Sequence, residues 1–276
     1  SCDTYFYEIA RKLGVDRLKE TSIKFGLGEK VLNETFSIEK EGLIPDTKWK
    51  KNNLGKGWVI GETLITGIGQ GYTQTTPLQL CQMTAQLANG GFKIYPKIIV
   101  EENSKTADEI RFIMNENRKQ LNKKDSGLKD TTEELLGFLD KKEHETLFKS
   151  SKNINLVCEA MFASTNEIRG TSYKSRIDDP KYQFAGKTGT SQVRRITEAD
   201  RELDLKTLDI PYNERDHALY IAFGPYKNPR YALSIVIEHG GSGSSASAPI
   251  AKKLFKLIID RHELREQTRI KKTTKV

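Results

Sequence analysis

Gln183-Phe184-Ala185-Gly186-Lys187-Thr188-Gly189-Thr190-Ser191-Gln192 is the stretch on which the reading of this chain turns. It reads as a short extended strand that carries a cation, two hydroxyls and a glycine. Alternate side chains of a strand share a face, so Lys187 and Gly189 point one way and Thr188 and Thr190 the other. A twisted edge strand can still bring all four against one ligand, and Gly189 lets a substrate backbone approach closely. Such an array suits a group with a carboxylate and a carbonyl close together. Lys187 and the hydroxyls would meet the charge, and backbone N–H groups the carbonyl.

Two plainer readings compete. Gly186-Lys187-Thr188 looks like the end of the phosphate-binding G-x-x-x-x-G-K-[ST] loop, but that motif needs glycine where the chain has Lys181. Tyr182-Gln183-Phe184-Ala185 is no flexible cradle, and Gly189 would weaken the helix that must follow. The phosphate loop fails. An ordinary strand and turn is not excluded by four residues alone, so the rest of the chain must decide.

The chain has 276 residues, enough for one large domain or two small ones. Its net charge is +8, yet the Lys and Arg are interspersed with Asp and Glu, as on a solvated surface. No aromatic-interleaved basic strip or zinc knuckle occurs, so no nucleic-acid partner is expected. Cys2, Cys81 and Cys158 form no C-x-x-C pair, and the four histidines stand far apart, so neither a metal nor a cofactor is expected. There is no signal peptide and no apolar run near the length of a membrane span. Ser1 stands where an initiator Met would be, and the chain reads as a piece of a longer protein.

Working outward, Tyr5–Leu13 reads as a helix closing on Gly14, with Ser1 or Asp3 as its ordinary N-cap, and residues 15–24 as a second helix. Residues 29–57 read as a polar, irregular loop. Thr76 and Pro77 start a helix that stops at Asn89-Gly90-Gly91, with Leu78, Cys81, Met83, Ala85, Leu87 and Ala88 as its apolar positions. Gly67-Ile68-Gly69-Gln70-Gly71-Tyr72 is not G-x-G-x-x-G, because Tyr72 takes the last place. Residues 101–152 are rich in Lys, Glu, Asp and Asn and read as a charged surface insertion. Ile154–Ile168 reads as a helix with Leu156, Val157, Ala160, Met161 and Ala163 facing the core. His217–Pro225 and Pro229–Glu238 read as paired strands, and Ala248–Ile258 as a terminal helix with a frayed basic tail over 261–276. The expected class is α+β: an antiparallel sheet covered by helices over 153–260, with a helical part over 1–92.

The ordered set Ser1-Cys2-Asp3, Gly67-Ile68-Gly69-Gln70-Gly71-Tyr72, Thr76-Pro77-Leu78-Gln79 and Lys187-Thr188-Gly189-Thr190 resembles the class B penicillin-binding proteins. Asp216-His217-Ala218 and the strands after it are similar to that family as well. The Ser-x-Asp form, in place of Ser-x-Asn, resembles the elongation-specific penicillin-binding protein 2 branch. Any one motif is weak; the ordered set is specific.

The resemblance implies the penicillin-binding and serine β-lactamase-like fold, incomplete at its N-terminus. It also implies a D,D-transpeptidase that cross-links peptidoglycan stem peptides through a serine acyl-enzyme and reacts with β-lactams. It implies that Ser1 relays protons, Asp3 positions the substrate amide, and Lys187 supplies positive potential. Thr188 and Thr190 would bind the terminal carboxylate beside Gly189, and the Thr190 N–H would form half of the oxyanion hole. A SEDS-family glycosyltransferase, elongation-complex membrane proteins and the periplasmic face of the inner membrane are implied for the parent. The same constellation would serve a serine β-lactamase or D,D-carboxypeptidase, with water as acceptor, or a sensor that binds muropeptides without turnover.

The family's nucleophile lies in Ser-x-x-Lys, upstream of Ser-x-Asp. Two formal matches occur here, Ser37-Ile38-Glu39-Lys40 and Ser126-Gly127-Leu128-Lys129, and about two are expected by chance. The serine must open a buried helix so that the lysine one turn on faces it. Ser37 runs into Gly42 and Pro45, and Ser126 sits in the charged insertion. Neither fits, so residues 1–276 alone are expected not to acylate.

Overall fold

A computed structural model of the protein describes residues 2–32, 38–98, 145–148, 150–194 and 209–273. Ser1, both Ser-x-x-Lys serines and most of the expected insertion lie outside the described residues. The chain forms two compact units: Ser1–Lys12, Val59–Gly71 and Val157–Val276 make the first, and Leu13–Trp58 and Tyr72–Leu156 the second.

The first unit is built on a three-stranded antiparallel sheet, ordered β1 (Ala185–Ser191), β2 (His217–Gly224), β3 (Tyr231–Ile237). With β2 central, β1 is an edge strand. The register sets Lys187 opposite Ile221, Thr188 opposite Tyr220 and Thr190 opposite Ala218. Ala218, Tyr220 and Ala222 alternate inward along β2 and are buried, as a strand's period of two requires. Phe184, Tyr220 and Ala222 pack with Ala248, Ala251, Phe255 and Ile259 of the terminal helix, so this unit has its own apolar core. Phe184 stacks on Phe255 at 4.8 Å between ring centroids.

That terminal helix, here α7, spans Ala248–Thr273. It does not fray at Arg261 as expected. Beyond the core it is held by polar pairs: the Tyr182 hydroxyl donates to Asp260 at 2.5 Å, and Lys181 meets Glu263 at 2.7 Å. The Tyr231 hydroxyl is 2.7 Å from Nδ1 of His262. These fix the extra turns on the sheet's outer end.

Two further helices belong to the first unit. α1 (Asp3–Leu13) runs as expected to Gly14, and α4 covers Ile60–Thr66. Gly67 is the point where they meet: a Cβ there would stand 2.3 Å from that of Ala10. Only glycine permits that approach.

In the second unit α2 (Val15–Lys24) appears where expected. The loop expected over 29–57 contains a helix, α3 (Thr47–Leu54). Asp46 caps it by accepting from the Trp49 N–H at 2.6 Å, and Gly55 closes it in the left-handed region at φ 63°. The sequence Thr-Lys-Trp-Lys-Lys-Asn-Asn-Leu has no apolar period, which is why only its caps betray it.

α5 (Pro77–Ala88) starts at the Thr76 cap and the first-turn proline, as expected. Of the expected apolar positions Leu87 is buried, but the other fully buried positions are polar. Gln79, Thr84, Gln86 and Leu87 are buried, while Leu78 is exposed. The buried glutamines serve loop backbone: Gln79 Nε2 donates to the carbonyls of Glu29 (2.6 Å) and Glu41 (2.7 Å), and Gln86 Nε2 to that of Phe25 (2.9 Å). Irregular segments leave backbone groups that must be paired when buried, and side-chain amides supply the partners.

α6 (Lys152–Asn166) likewise forms where expected, and of its expected core residues Met161 is buried. Ile154, Met161 and Thr165 are buried, whereas Leu156 and Val157 are 64% and 43% exposed.

Candidate active site

β1 is placed by what lies behind it. The Tyr220 hydroxyl sits between Thr165 Oγ1 (2.9 Å) and Ser172 Oγ (3.0 Å), all buried. Burial pushes the Tyr220 phenol above its ordinary value, so it stays neutral and free to hydrogen-bond. Gly186 lies against this ring: a Cβ there would come within 2.3 Å of the phenol oxygen. Asn166 Nδ2 donates to the Phe184 carbonyl at 2.9 Å and fixes the strand's entry. Farther along, Gly243 packs beneath β1, where a Cβ would meet the Leu219 carbonyl at 2.3 Å and that of Gly189 at 2.8 Å.

The other end of the site is set at the exit of β1. Ser191 lies opposite His217, whose Nδ1 accepts from the His239 N–H at 2.9 Å. Asp216 accepts from the Val193 N–H at 3.1 Å, tying the chain after β1 to the start of β2. Asp216-His217-Ala218, singled out in the sequence, therefore braces the strand end.

Lys187 is largely buried, and burial pulls its ammonium below the ordinary lysine value. The negative charge of Asp3, at the start of α1, partly offsets that. Asp3 and Lys187, far apart in sequence, are thus close enough to interact. Nζ of Lys187 donates to the Thr188 carbonyl at 2.8 Å. Ser1 lies outside the described residues. Thr188 is half-buried on the face of Tyr220, Gly189 is half-buried, and Thr190 is exposed.

What unites Thr188 and Thr190 is the backbone. In an antiparallel pair each residue directs both its N–H and its C=O toward the partner strand, or both away. The Thr188 carbonyl takes Lys187, and the Thr190 carbonyl takes Nε2 of Gln70 at 3.0 Å. Both even-numbered residues therefore face the open edge, and their N–H groups point out with the carbonyls. Such an edge can pair an extended peptide or cradle a developing oxyanion. Gln70 was not among the sequence's candidate site residues. The glycines that flank it were the signal. Among the described residues no group of acidic, histidine or cysteine side chains could hold a metal ion, and no helix is long and apolar enough to cross a membrane.

A helix-covered antiparallel sheet with Lys-Thr-Gly-Thr on its edge strand, met by an acidic helix start, defines a penicillin-binding type of transpeptidase domain. Residues 1–256 match the model of the penicillin binding protein transpeptidase domain, and the chain belongs to that family. It is 34% identical over 264 residues to the peptidoglycan D,D-transpeptidase MrdA of Salmonella typhimurium, covering 94% of this chain and 37% of that protein. The chain thus spans little more than a third of that relative's length.

Among solved structures it resembles Pseudomonas aeruginosa PBP2 in complex with WCK 5153, with a TM-score of 0.66 and 33% identity over 92% of this chain and 46% of that one. It also resembles PBP2 of Helicobacter pylori in its complex with MreC, with a TM-score of 0.65 and 27% identity over 92% of this chain and 38% of that one. The expected family, its penicillin-binding protein 2 branch and the α+β class are borne out.

Proposed function

We propose that the protein carrying this chain is a peptidoglycan D,D-transpeptidase that joins stem peptides through a serine acyl-enzyme, and that β-lactams acylate the same serine. The observation that carries this is an edge strand that bears a desolvated Lys187 within reach of the charge of Asp3 and whose Thr188 and Thr190 backbone faces outward. Desolvation makes Lys187 a better proton acceptor at neutral pH than a solvated lysine, while its charged form still draws in a carboxylate. Ser1 is assigned the relay of a proton to Lys187, and Asp3 the positioning of the substrate amide. Thr188 and Thr190 hold the terminal carboxylate, Gly189 admits the substrate backbone, and the Thr190 N–H is half of the oxyanion hole.

The acylated serine is assigned to a Ser-x-x-Lys on a buried helix, preceding Ser1 in the whole protein, and not to Ser37 or Ser126. A SEDS-family glycosyltransferase and elongation-complex membrane proteins are its proposed partners, at the periplasmic face of the inner membrane. That H. pylori PBP2 is seen in complex with MreC supports the expectation of a protein partner.

A fluorescent penicillin tests the reading. It is expected to form a stable adduct with the whole protein and none with residues 1–276 alone. Peptide mapping of an adduct to Ser37 or Ser126 would overturn the assignment of the nucleophile. Rapid hydrolysis of the adduct would move the activity to the β-lactamase or carboxypeptidase class.

A further inference from the structure

Gln70 lies far from Lys-Thr-Gly-Thr in the sequence and close to it in space. Its position is set by the way α4 ends. The Gln70 N–H donates to the Ile65 carbonyl at 2.9 Å, and the Gly69 N–H to that of Thr66 at 2.9 Å. This nested pair is the Schellman closure, with Gly69 in the left-handed region at φ 78° and Gln70 as the residue after it. That place often carries an apolar side chain packed back on the helix. Here it carries an amide. Gly71 at φ 77° then turns the chain away, and a Cβ there would meet Ile65 Cδ1 at 3.0 Å. Gln70 is therefore held between two left-handed glycines, on a helix pinned to α1 at the Gly67–Ala10 contact.

From this seat Nε2 of Gln70 reaches the Thr190 carbonyl at 3.0 Å. Thr190 is exposed at the open edge of the sheet, where the ladder gives its carbonyl no partner. The Thr190 N–H faces the same way, and its direction follows the rotation of the residue about its Cα bonds.

We propose that Gln70 is a positioning residue of the transpeptidase: its amide clamps the Thr190 carbonyl and so holds the Thr190 N–H in line for the oxyanion. The proposal rests on the function given above. The clamp also makes α4 and α1 part of the site's frame, because these helices meet at Gly67 and Ala10, and α1 carries Asp3 while α4 leads into Gln70.

The test measures acylation of the whole protein by a fluorescent penicillin, separating the noncovalent binding constant from the acylation rate. Gln70→Ala is expected to slow acylation roughly three- to tenfold, the worth of one hydrogen bond, with binding and melting temperature little changed. Gln70→Glu has the same shape, so it keeps the fold should the alanine variant disturb the turn. At pH 7.5 its carboxylate cannot donate and repels the carbonyl, and acylation is expected to fall below that of Gln70→Ala. Toward pH 5 a growing share of protonated carboxyl regains a donor, and the rate relative to wild type is expected to recover. A purely structural glutamine would not give that pH profile.

Equal or faster acylation by both variants, with wild type labelled normally, overturns the clamp and leaves the proposed function standing. An unlabelled wild-type protein removes the function and the clamp together.

Discussion

At the residue scale, Lys187 sets stability against function. Its folded value lies below the ordinary lysine value of about 10.4, so the native state binds fewer protons than the unfolded one between those two values. Stability therefore rises with pH across that window. The cost of the buried charge is present in full below the folded value and gone above the ordinary one. Lys187→Met is expected to leave the melting temperature equal or higher at neutral pH and to flatten its rise with pH. The same change is expected to abolish penicillin labelling of the whole protein. A large loss of stability at pH 7 would show that the ammonium is net stabilising where it lies.

Tyr220 is the opposite case, a side chain whose polar tip holds a buried network. Tyr220→Phe removes the group shared by Thr165 Oγ1 and Ser172 Oγ, and is expected to cost about 1–3 kcal/mol in denaturant unfolding. Gly186→Ala tests the same contact from the strand. A methyl 2.3 Å from the phenol oxygen must displace the ring or the strand, at about 1–3 kcal/mol. The sequence offered Gly186 only as part of a failed phosphate loop; the ring it accommodates lies on another strand.

At the scale of elements, caps were legible and inward faces only in part, at Leu87 and Met161. Thr76 and Pro77 announce α5 because they act on backbone groups within a few residues. The helix's inward face answers to loops dozens of residues away, so counting apolar residues chose Leu78 and Met83 and passed over Gln79 and Gln86. Gln79→Ala is expected to be among the costlier substitutions in the second unit. It leaves the Glu29 and Glu41 carbonyls and the Thr76 N–H without a side-chain partner, about 2–4 kcal/mol by urea titration. Gln79→Leu fills the space without the bonds, and is expected to be no better than alanine. α3 escaped for a related reason: Asp46 and Gly55 bracket a helix whose interior carries no apolar stripe.

At the scale of the molecule, the family was legible because its motifs are short, ordered and widely separated, so their joint occurrence is improbable by accident. Their meeting in space was legible only as a proposition. That Asp3 bears on Lys187, and that Gln70 holds Thr190, depends on α1 and α4 being docked through Gly67, which no local pattern announces.

The chain's path bears on how the whole unfolds. It passes between the two units after Lys12, Trp58, Gly71 and Leu156, the last inside the continuous helix α6. Neither unit is an uninterrupted stretch, so each is tied to the other through several chain crossings. Calorimetry is expected to show one cooperative transition. Phe255→Ala in the first unit's core, costing about 3–5 kcal/mol, and Gln79→Ala in the second should lower that same transition. Two separate transitions, each moved by only one of the substitutions, would show that the units are stabilised independently despite the interwoven chain.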